Sequence, residues 1–144
     1  MKNIFLLIVI LLFYSCGTDQ GEGKTYMLTL SNSSGHDIKI DSYSERREES
    51  KVIVLLNGEA ITKEFNSPAP PSQEIYTYLN FFEGDSIVVT YNNEKRQSFI
   101  QVTNCNENGR NPLNTCLYRN TKQTFTFTRQ DYENAFFCDD GKCE

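Results

Sequence analysis

The sequence predicts an all-β fold, an antiparallel β-sandwich of about seven to eight strands, immunoglobulin-like or similar, with a short C-terminal helical turn. Tyrosine, phenylalanine and β-branched residues are frequent, with 8 Tyr and 10 Phe, and this composition favours strands. Turn signals separate the apolar segments at intervals of roughly 8–12 residues, a spacing typical of sandwiches and barrels. We favour a sandwich because two segments are apolar throughout and a proline-rich connection suits a switch between sheets.

The first strands are predicted by strict alternation of apolar and polar residues, the period of a half-buried strand. A polar turn at residues 32–35 separates two such segments. The apolar positions are Tyr26, Leu28 and Leu30 in the first segment and Ile38 and Ile40 in the second.

The next segment, Val52–Leu56, is continuously apolar, which predicts a strand buried on both faces. Asn57-Gly58 follows directly and predicts a two-residue hairpin, with Ala60–Phe65 as the returning strand. The proline cluster at 68–71 lacks backbone N–H donors, so we expect a connection between sheets or a sheet edge there.

An aromatic segment, Glu74–Phe82, is predicted to be a long strand. Tyr76, Tyr78 and Phe82 would then share one face. If that face is exposed, it is a candidate ligand-binding surface that stacks on a sugar or contacts a protein partner. The alternative is that a helix, a loop or the second sheet covers it.

The C-terminal half carries three further predicted strands and one helical turn. Asn92-Asn93 marks a turn between the first two strands, and residues 103–117 read as a loop. Thr128 and Asp131 have the spacing of a capping box. The predicted strands are Ser86–Tyr91, Gln97–Val102 and Gln123–Thr128, with Phe125 and Phe127 facing inward, and the helical turn is Asp131–Ala135.

Composition limits the classes of partner. The 144 residues include 14 Lys and Arg against 19 Asp and Glu, a net charge of −5. This acidity argues against a nucleic-acid partner and against electrostatic adhesion to anionic lipid. The length suits one domain with a sizeable core.

Four of the five cysteines are expected to form two disulfides, because an even number of thiols in an exported protein usually pairs. The local choice joins Cys105 to Cys116 and Cys138 to Cys143. The crossed pairings, which would tie the tail to the 105–116 loop, stay open. Zinc is less favoured than disulfides in an oxidising compartment, and no cofactor or metal is expected.

The N-terminal residues 1–15 read as an export signal. Lys2 precedes an apolar run, Ile4–Phe13, whose length of ten residues corresponds to roughly half of a hydrocarbon core, too short for a comfortable span. Residues 16–24 then read as a flexible tether, 25–137 as the sandwich domain and 138–144 as an acidic, disulfide-bearing tail.

The segment Phe13-Tyr14-Ser15-Cys16 resembles the lipobox of bacterial lipoproteins, in its relaxed form. The resemblance implies diacylglyceryl transfer to Cys16, cleavage before it, and acylation of the new amine, with palmitate as an expected chain. Gly17 after the cysteine implies an outer-membrane lipoprotein, facing either the periplasm or the cell surface. An ordinary signal peptide and a transmembrane anchor are the alternatives.

Two further segments, 84–95 and 125–135, are similar to a turn-strand-turn and a closing motif of small, uncharacterised β-rich envelope lipoproteins of Gram-negative bacteria. The resemblance implies a β-rich envelope domain and brings no activity with it. From the residues themselves, we expect Tyr132 to pack beneath the sandwich with its hydroxyl bonded to backbone, like a tyrosine corner.

Catalytic chemistry has little support in the sequence. His36 is the sole histidine and lies in a turn, and no Gly-x-Ser-x-Gly elbow occurs. The acidic residues Asp139, Asp140 and Glu144 lack the alternating pattern of a calcium loop. No catalytic residue is therefore assigned.

The sequence thus predicts a monomeric, lipid-anchored, non-enzymatic domain of the cell envelope that binds a protein or glycan, or acts as a structural accessory. The alternative is a periplasmic inhibitor or immunity-type lipoprotein that restrains an enzyme or toxin. Disulfide-closed loops suit that role, because preorganisation lowers the cost of ordering on binding.

Overall fold

The chain folds into eight strands in two sheets with two short helices, which confirms the all-β, sandwich-like prediction. This computed structural model describes residues 21–45, 49–70, 72–104, 109–118, 120–139 and 142–143. In chain order the elements are β1 (Lys24–Ser33), β2 (Ile38–Tyr43), β3 (Lys51–Leu55), β4 (Ala60–Ser67), α1 (Tyr78–Phe82), β5 (Ser86–Tyr91), β6 (Lys95–Ile100), β7 (Lys122–Thr128), α2 (Arg129–Asn134) and β8 (Phe136–Phe137).

The two sheets have strand orders β4-β1-β7 and β3-β2-β5-β6-β8. All pairs are antiparallel except β1 with β7, which run parallel with Leu30 opposite Phe125. The sequence predicted antiparallel pairing throughout, and the parallel pair is a departure from it. This pair joins the first and the last long strand of the chain in one sheet.

The core lies between the inner faces of the two sheets, and α1 closes one end of it. Alternate residues of β1, β2, β5 and β7 point inward, as their period of two requires. The largest fully buried side chains are Tyr78, Tyr91, Phe81, Phe82, Phe125, Phe127, Leu28, Leu30, Ile38, Ile40, Leu55 and Ile87.

The β5–β6 hairpin shows why local signals succeeded in this half of the chain. Asn92 and Asn93 have φ values of 48° and 59°. A type I′ turn needs positive φ at both central residues, and asparagine tolerates it better than most side chains. The predicted strand Ser86–Tyr91 is therefore observed as β5, and its partner begins at Lys95, two residues before the predicted start.

The prediction that Val52–Leu56 is buried on both faces is wrong. The segment is a strand, but β3 forms an edge of the five-stranded sheet. Leu55 is fully buried, whereas Val52, Val54 and Leu56 are 49%, 60% and 51% exposed. Nothing among the described residues covers the outer face of this strand.

The predicted Asn57-Gly58 hairpin is also wrong. The two residues do form a turn, closed by a 3.0 Å bond from Glu59 N to Leu56 O, but β3 pairs with β2 and β4 pairs with β1. Gly58 has a φ of 87°, whereas the φ of Asn57 is not positive. A type I′ turn, which would hold two strands side by side, needs positive φ at both residues and is therefore not formed. The turn carries the chain from one sheet to the other.

The aromatic segment 74–82 is not a strand. Its last five residues form α1, and the residues before it are irregular. The buried side chains Tyr78, Phe81 and Phe82 fall at positions i, i+3 and i+4, the spacing of one helix face. The preceding proline-rich segment, of which Pro71 lies outside the described residues, connects the two sheets as predicted.

The strands divide the loops between two poles of the sandwich. The entry pole, where β1 begins, carries residues 44–50, 68–85 and 101–121 as far as they are described. The far pole, where β1 ends, carries residues 33–37, 56–59 and 92–94 together with α2, β8 and the tail. Since β1 has 10 residues, the poles are roughly 33 Å apart along the strand.

Candidate binding groove

Helix α1 is fixed at its start by reciprocal capping. Thr77 N donates to Asn80 Oδ1 at 2.9 Å, and Leu79 N donates to Thr77 Oγ1 at 3.3 Å. These bonds satisfy backbone donors that a helix start leaves free. Because Tyr78, Phe81 and Phe82 enter the core, Leu79 and Asn80 are left on the outer side of the helix, where they line a groove.

The end of α1 requires a glycine for space. A Cβ on Gly84 would lie 2.3 Å from both Ser42 Oγ and Tyr43 O of β2. No real Cβ contact is that short, so only a hydrogen at this position lets the helix end meet the strand. Asp85 N then donates to Tyr43 O at 3.0 Å, which holds the turn against β2.

Glu83 links the two sheets through its carboxylate. It contacts the ammonium of Lys51 on β3 and lies 3.9 Å from that of Lys63 on β4. Its φ is 56°, in the left-handed region that is costly for a residue with a Cβ. The pKa of Lys63 is lowered by burial and by the charge of Lys51, while Glu83 opposes this shift. Lys63 Nζ also donates to Phe81 O at 2.6 Å.

The groove beside α1 has a volume of about 630 Å³, within the range of pockets that hold small ligands. Its walls come from α1, the turn after it, and the segments that follow β2 and β6. The lining combines an apolar floor with carboxylates, amides and a hydroxyl, groups that suit a polar ligand with one apolar face. The lining residues are Ser44, Glu45, Phe65, Leu79, Asn80, Glu83, Gly84, Asp85 and Gln101.

One of the three aromatic candidates for ligand binding lies near this groove. The ring of Tyr76 stacks on Phe65, with centroids 5.1 Å apart, and meets Tyr26 edge-on at 5.7 Å. Tyr76 Oη donates to Glu74 Oε2 at 2.8 Å, and this bond raises the pKa of the phenol. Tyr76 thus supports the groove from behind Phe65.

The other two candidates, Tyr78 and Phe82, are in the core, each with 0% exposure. They cannot contact a ligand without unfolding α1, so their proposed role is wrong. Tyr78 Oη donates to Thr29 O at 2.6 Å, and burial raises the pKa of this phenol. The residues belong to the packing of α1 against the three-stranded sheet.

The cysteines are paired locally at the tail. Cys138 and Cys143 form a disulfide with Cα atoms 5.2 Å apart, which excludes the crossed pairings of either with the 105–116 loop. Cys116 is also disulfide-bonded. Its predicted partner, Cys105, and the predicted lipidation site, Cys16, lie outside the described residues.

His36 and Tyr132 stack face to face at the far pole, with ring centroids 3.7 Å apart. No bond of the Tyr132 hydroxyl is seen among the described residues, and the tyrosine corner stays a prediction. The ring packs edge-on against Tyr91 at 5.8 Å. Lys95 Nζ lies over the rings of Tyr132 and Phe137, 4.5 Å and 4.6 Å from their centroids.

Strand β8 is a feature that sequence reasoning missed. Phe136 and Phe137 are 78% and 75% exposed and pair with Arg96 and Lys95 of β6. The end of β8 is held next to β6 by a bond from Cys138 N to Glu94 O at 3.0 Å. Two adjacent phenylalanines before a cysteine were the available signal, but the sequence predicts burial for such a pair.

Over the described ranges, no group of three or more His, Cys, Asp or Glu side chains is arranged to hold a metal ion. Of the acidic tail, Asp139 is described and exposed, while Asp140 and Glu144 lie outside the described residues. Neither helix in the part of the chain that the structure describes has the length and hydropathy needed to cross a bilayer.

Comparison with protein-family models, curated proteins and solved structures found no match to this chain.

Proposed function

We propose that this chain is a lipid-anchored, non-enzymatic accessory domain of the cell envelope that binds a polar ligand in the groove beside α1. The observation that carries the anchoring is the Ser15-Cys16 pair after a short apolar run. The domain begins at Lys24, which leaves seven residues between it and the lipidated cysteine, a tether of at most roughly 25 Å. The proposed location is the outer membrane, on its periplasmic or its outer side.

The groove supports ligand binding because its lining matches the chemistry of glycans and of polar protein segments. The exposed side chains of Asn80, Glu45 and Gln101 offer hydrogen-bonding groups around the ring of Phe65 and the side chain of Leu79. A sugar offers hydroxyls on its edge and C–H groups on its face, and such a lining complements both.

Anchoring is tested by Cys16→Ala in the full chain, followed by fractionation of membranes and mass spectrometry of the mature N-terminus. We expect the variant to leave the membrane fraction and the wild type to carry three acyl chains, because two or more chains give stable attachment. Gln20→Ala serves as the matched control, since it changes the same N-terminal segment and leaves Cys16 and the disulfides in place. Retention of Cys16→Ala in membranes would refute the lipoprotein assignment.

A second candidate function, a restrainer of an enzyme or toxin, is favoured by the far pole. Phe136 and Phe137 are exposed, yet fixed between a capped helix and a disulfide. Rigid aromatic anchors of this kind are frequent hot spots of protein interfaces. They also project from the pole opposite the tether, away from the membrane.

This second function is tested by replacing both phenylalanines with serine. The change should leave the melting temperature near that of the wild type, because the side chains are exposed, and should abolish protection of cells against a toxin that the wild type blocks. Full protection by the double variant would remove the far pole as the contact surface.

A further inference from the structure

We infer that Asn57-Gly58 is a self-modification site, which the folded far pole keeps unreactive and which reacts when that pole opens. The reaction converts the side chain of Asn57 to aspartate or isoaspartate with loss of ammonia. This inference is independent of the anchoring and ligand-binding roles proposed above. It starts from the dipeptide whose sequence predicts a hairpin and which forms a turn between the two sheets instead.

The chemistry needs an asparagine followed by an accessible backbone nitrogen. The nitrogen of Gly58 attacks Cγ of Asn57, so that an N–Cγ bond forms and the Cγ–Nδ2 bond breaks. The proton of the attacking nitrogen leaves with Nδ2 as part of ammonia. Water then opens the succinimide ring, at Cγ to give aspartate or at the main-chain carbonyl to give isoaspartate. Glycine suits the second position because it has no Cβ to hinder the attack.

The observed turn holds the attacking nitrogen away from the side chain. Glu59 N donates to Leu56 O at 3.0 Å, and the φ of Gly58 is 87° while that of Asn57 is not positive. This is the pattern of a type II turn, in which the first central residue has a ψ of about +120°. Ring closure needs a negative ψ at Asn57, which brings Gly58 N towards Cγ. The turn must therefore open before the ring can close.

Three hydrogen bonds oppose this rotation, and each joins the dipeptide to the segment that ends β1 and leads into β2. Gly58 N donates to Asn32 O at 2.7 Å. Gly35 N donates to Asn57 Oδ1, and Asn57 N donates to Asp37 Oδ1, both at 2.9 Å. The attacking nitrogen, the amide under attack and the backbone N–H of the same residue are thus all bound to the neighbouring turn.

These two turns can open without unfolding of the core. Gly35, Asp37, Asn57 and Gly58 are exposed, so the bonds between them lie at the surface of the far pole. Local opening of exposed turns costs less free energy than global unfolding. The rate of modification therefore follows the fraction of molecules in which the far pole is open.

The product cannot restore the original turn. Isoaspartate routes the backbone through Cγ and so adds a methylene between the Cα atoms of residues 57 and 58, which displaces Gly58 N from Asn32 O. Aspartate keeps the backbone but places a carboxylate beside Asp37, whose Oδ1 is 2.9 Å from Asn57 N, and like charges at short range repel each other. The modification is therefore one-way and weakens the join between the sheets at this pole.

The test follows Asn57 in the full chain by peptide mass spectrometry, with labelling by an isoaspartate methyltransferase as a second readout. The chain is incubated at mildly alkaline pH, either folded or in urea. Asn57 should react more slowly in the folded chain by roughly tenfold or more, because opening limits the reaction. Asn108-Gly109 repeats the dipeptide and is the reference in urea, where both sites should react at similar rates. Equal rates for Asn57 in the folded and the unfolded chain would overturn the proposal.

Asp37→Ala removes the acceptor of Asn57 N and should raise the rate in the folded chain about threefold, the effect of one exposed hydrogen bond. Glu64→Ala, which removes an exposed carboxylate of β4 away from both turns, is the matched control and should leave the rate unchanged. Circular dichroism checks that both variants are folded, and the wild-type comparison in urea does not depend on either. An unchanged or lower rate with Asp37→Ala would contradict the gating by these bonds.

The modified chain provides the last measurement. Purified protein that contains isoaspartate at position 57 should unfold at a lower urea concentration than the unmodified chain, because the turn no longer joins the sheets. Asn57→Asp separates the effect of the added charge from that of the altered backbone and should unfold between the two. A modified chain with the urea midpoint of the unmodified protein would overturn the one-way product.

Discussion

Arg110 and Asp131 form a two-point ion pair, with Nε 2.9 Å from Oδ1 and Nη2 2.9 Å from Oδ2. Asp131 is buried and also accepts bonds from Thr128 N and Thr128 Oγ1, at 2.7 and 2.8 Å. One carboxylate therefore caps α2 and holds the loop that contains Arg110. Burial alone would raise the pKa of Asp131, but the bonds from Arg110 and Thr128 outweigh it and lower the pKa below its usual range.

Asp131→Asn should lower the free energy of unfolding by roughly 2 kcal/mol at pH 7, because it removes the ion pair and weakens the cap. A carboxyl with a lowered folded-state pKa stabilises the fold above its unfolded pKa of about 4 and loses that effect as pH falls through the folded value. The difference between wild type and variant, measured by urea denaturation, should therefore shrink below about pH 4. A difference that is constant from pH 7 to pH 2 would contradict this assignment.

Two buried tyrosines should respond in opposite directions to loss of their hydroxyls. Tyr78 Oη donates to Thr29 O, so Tyr78→Phe should cost about 1 kcal/mol. Tyr91 Oη is buried with no hydrogen-bond partner among the described residues, so Tyr91→Phe should be neutral or stabilising. Thermal denaturation of the two variants side by side is the measurement, and equal losses would show that Tyr91 has a partner.

Glu83 allows the cost of backbone strain to be separated from its ion pairs. Glu83→Ala removes the contacts with Lys51 and Lys63 but keeps a Cβ at a φ of 56°. Glu83→Gly removes the contacts and the strain together. The glycine variant should be more stable than the alanine variant by about 1 kcal/mol, as measured by denaturant unfolding. An alanine variant of equal or greater stability would mean that the left-handed conformation is not kept.

The tail disulfide should stabilise the fold modestly. Replacing both Cys138 and Cys143 with serine opens a loop with a sequence separation of 5, which the chain-entropy relation values at roughly 2 kcal/mol. Hydrogen exchange should be faster at the backbone amide of residue 138, which donates to Glu94 O in the wild type, and unchanged at the opposite pole. Unaltered exchange in β8 would show that Phe136 and Phe137 are held without the disulfide.

Local chemistry allowed much of the fold to be predicted. Strict alternation identified β1, β2 and β7, and paired asparagines identified the β5–β6 turn. The spacing of Thr128 and Asp131 identified the capping box of α2, although the helix begins at Arg129, two residues before the predicted turn. In each case the prediction depends only on residues that are neighbours in sequence. It holds in the folded protein because the tertiary contacts favour the same local structure.

The failures have tertiary causes. The segment 76–82 has both a period of two and the helical spacing of Tyr78, Phe81 and Phe82. Thr77 and Asn80, a capping pair, decide between them. Apolar composition could not show that β3 would be an edge strand, because edge position depends on which strands pair. The groove could not be predicted either, since its walls come from segments that lie far apart in the chain.

The parallel pairing of β1 with β7 has a consequence for how the protein matures. β1 is the inner strand of the three-stranded sheet. One of its neighbours, β4, is nearer in sequence than the other, β7, which begins at Lys122. A chain that crosses a membrane unfolded, N-terminus first, cannot complete this sheet until nearly its whole length has emerged. Contacts of such long sequence separation slow folding. Until β7 has joined, one edge of β1 is unpaired, so truncation before Lys122 should yield a product that aggregates or is degraded.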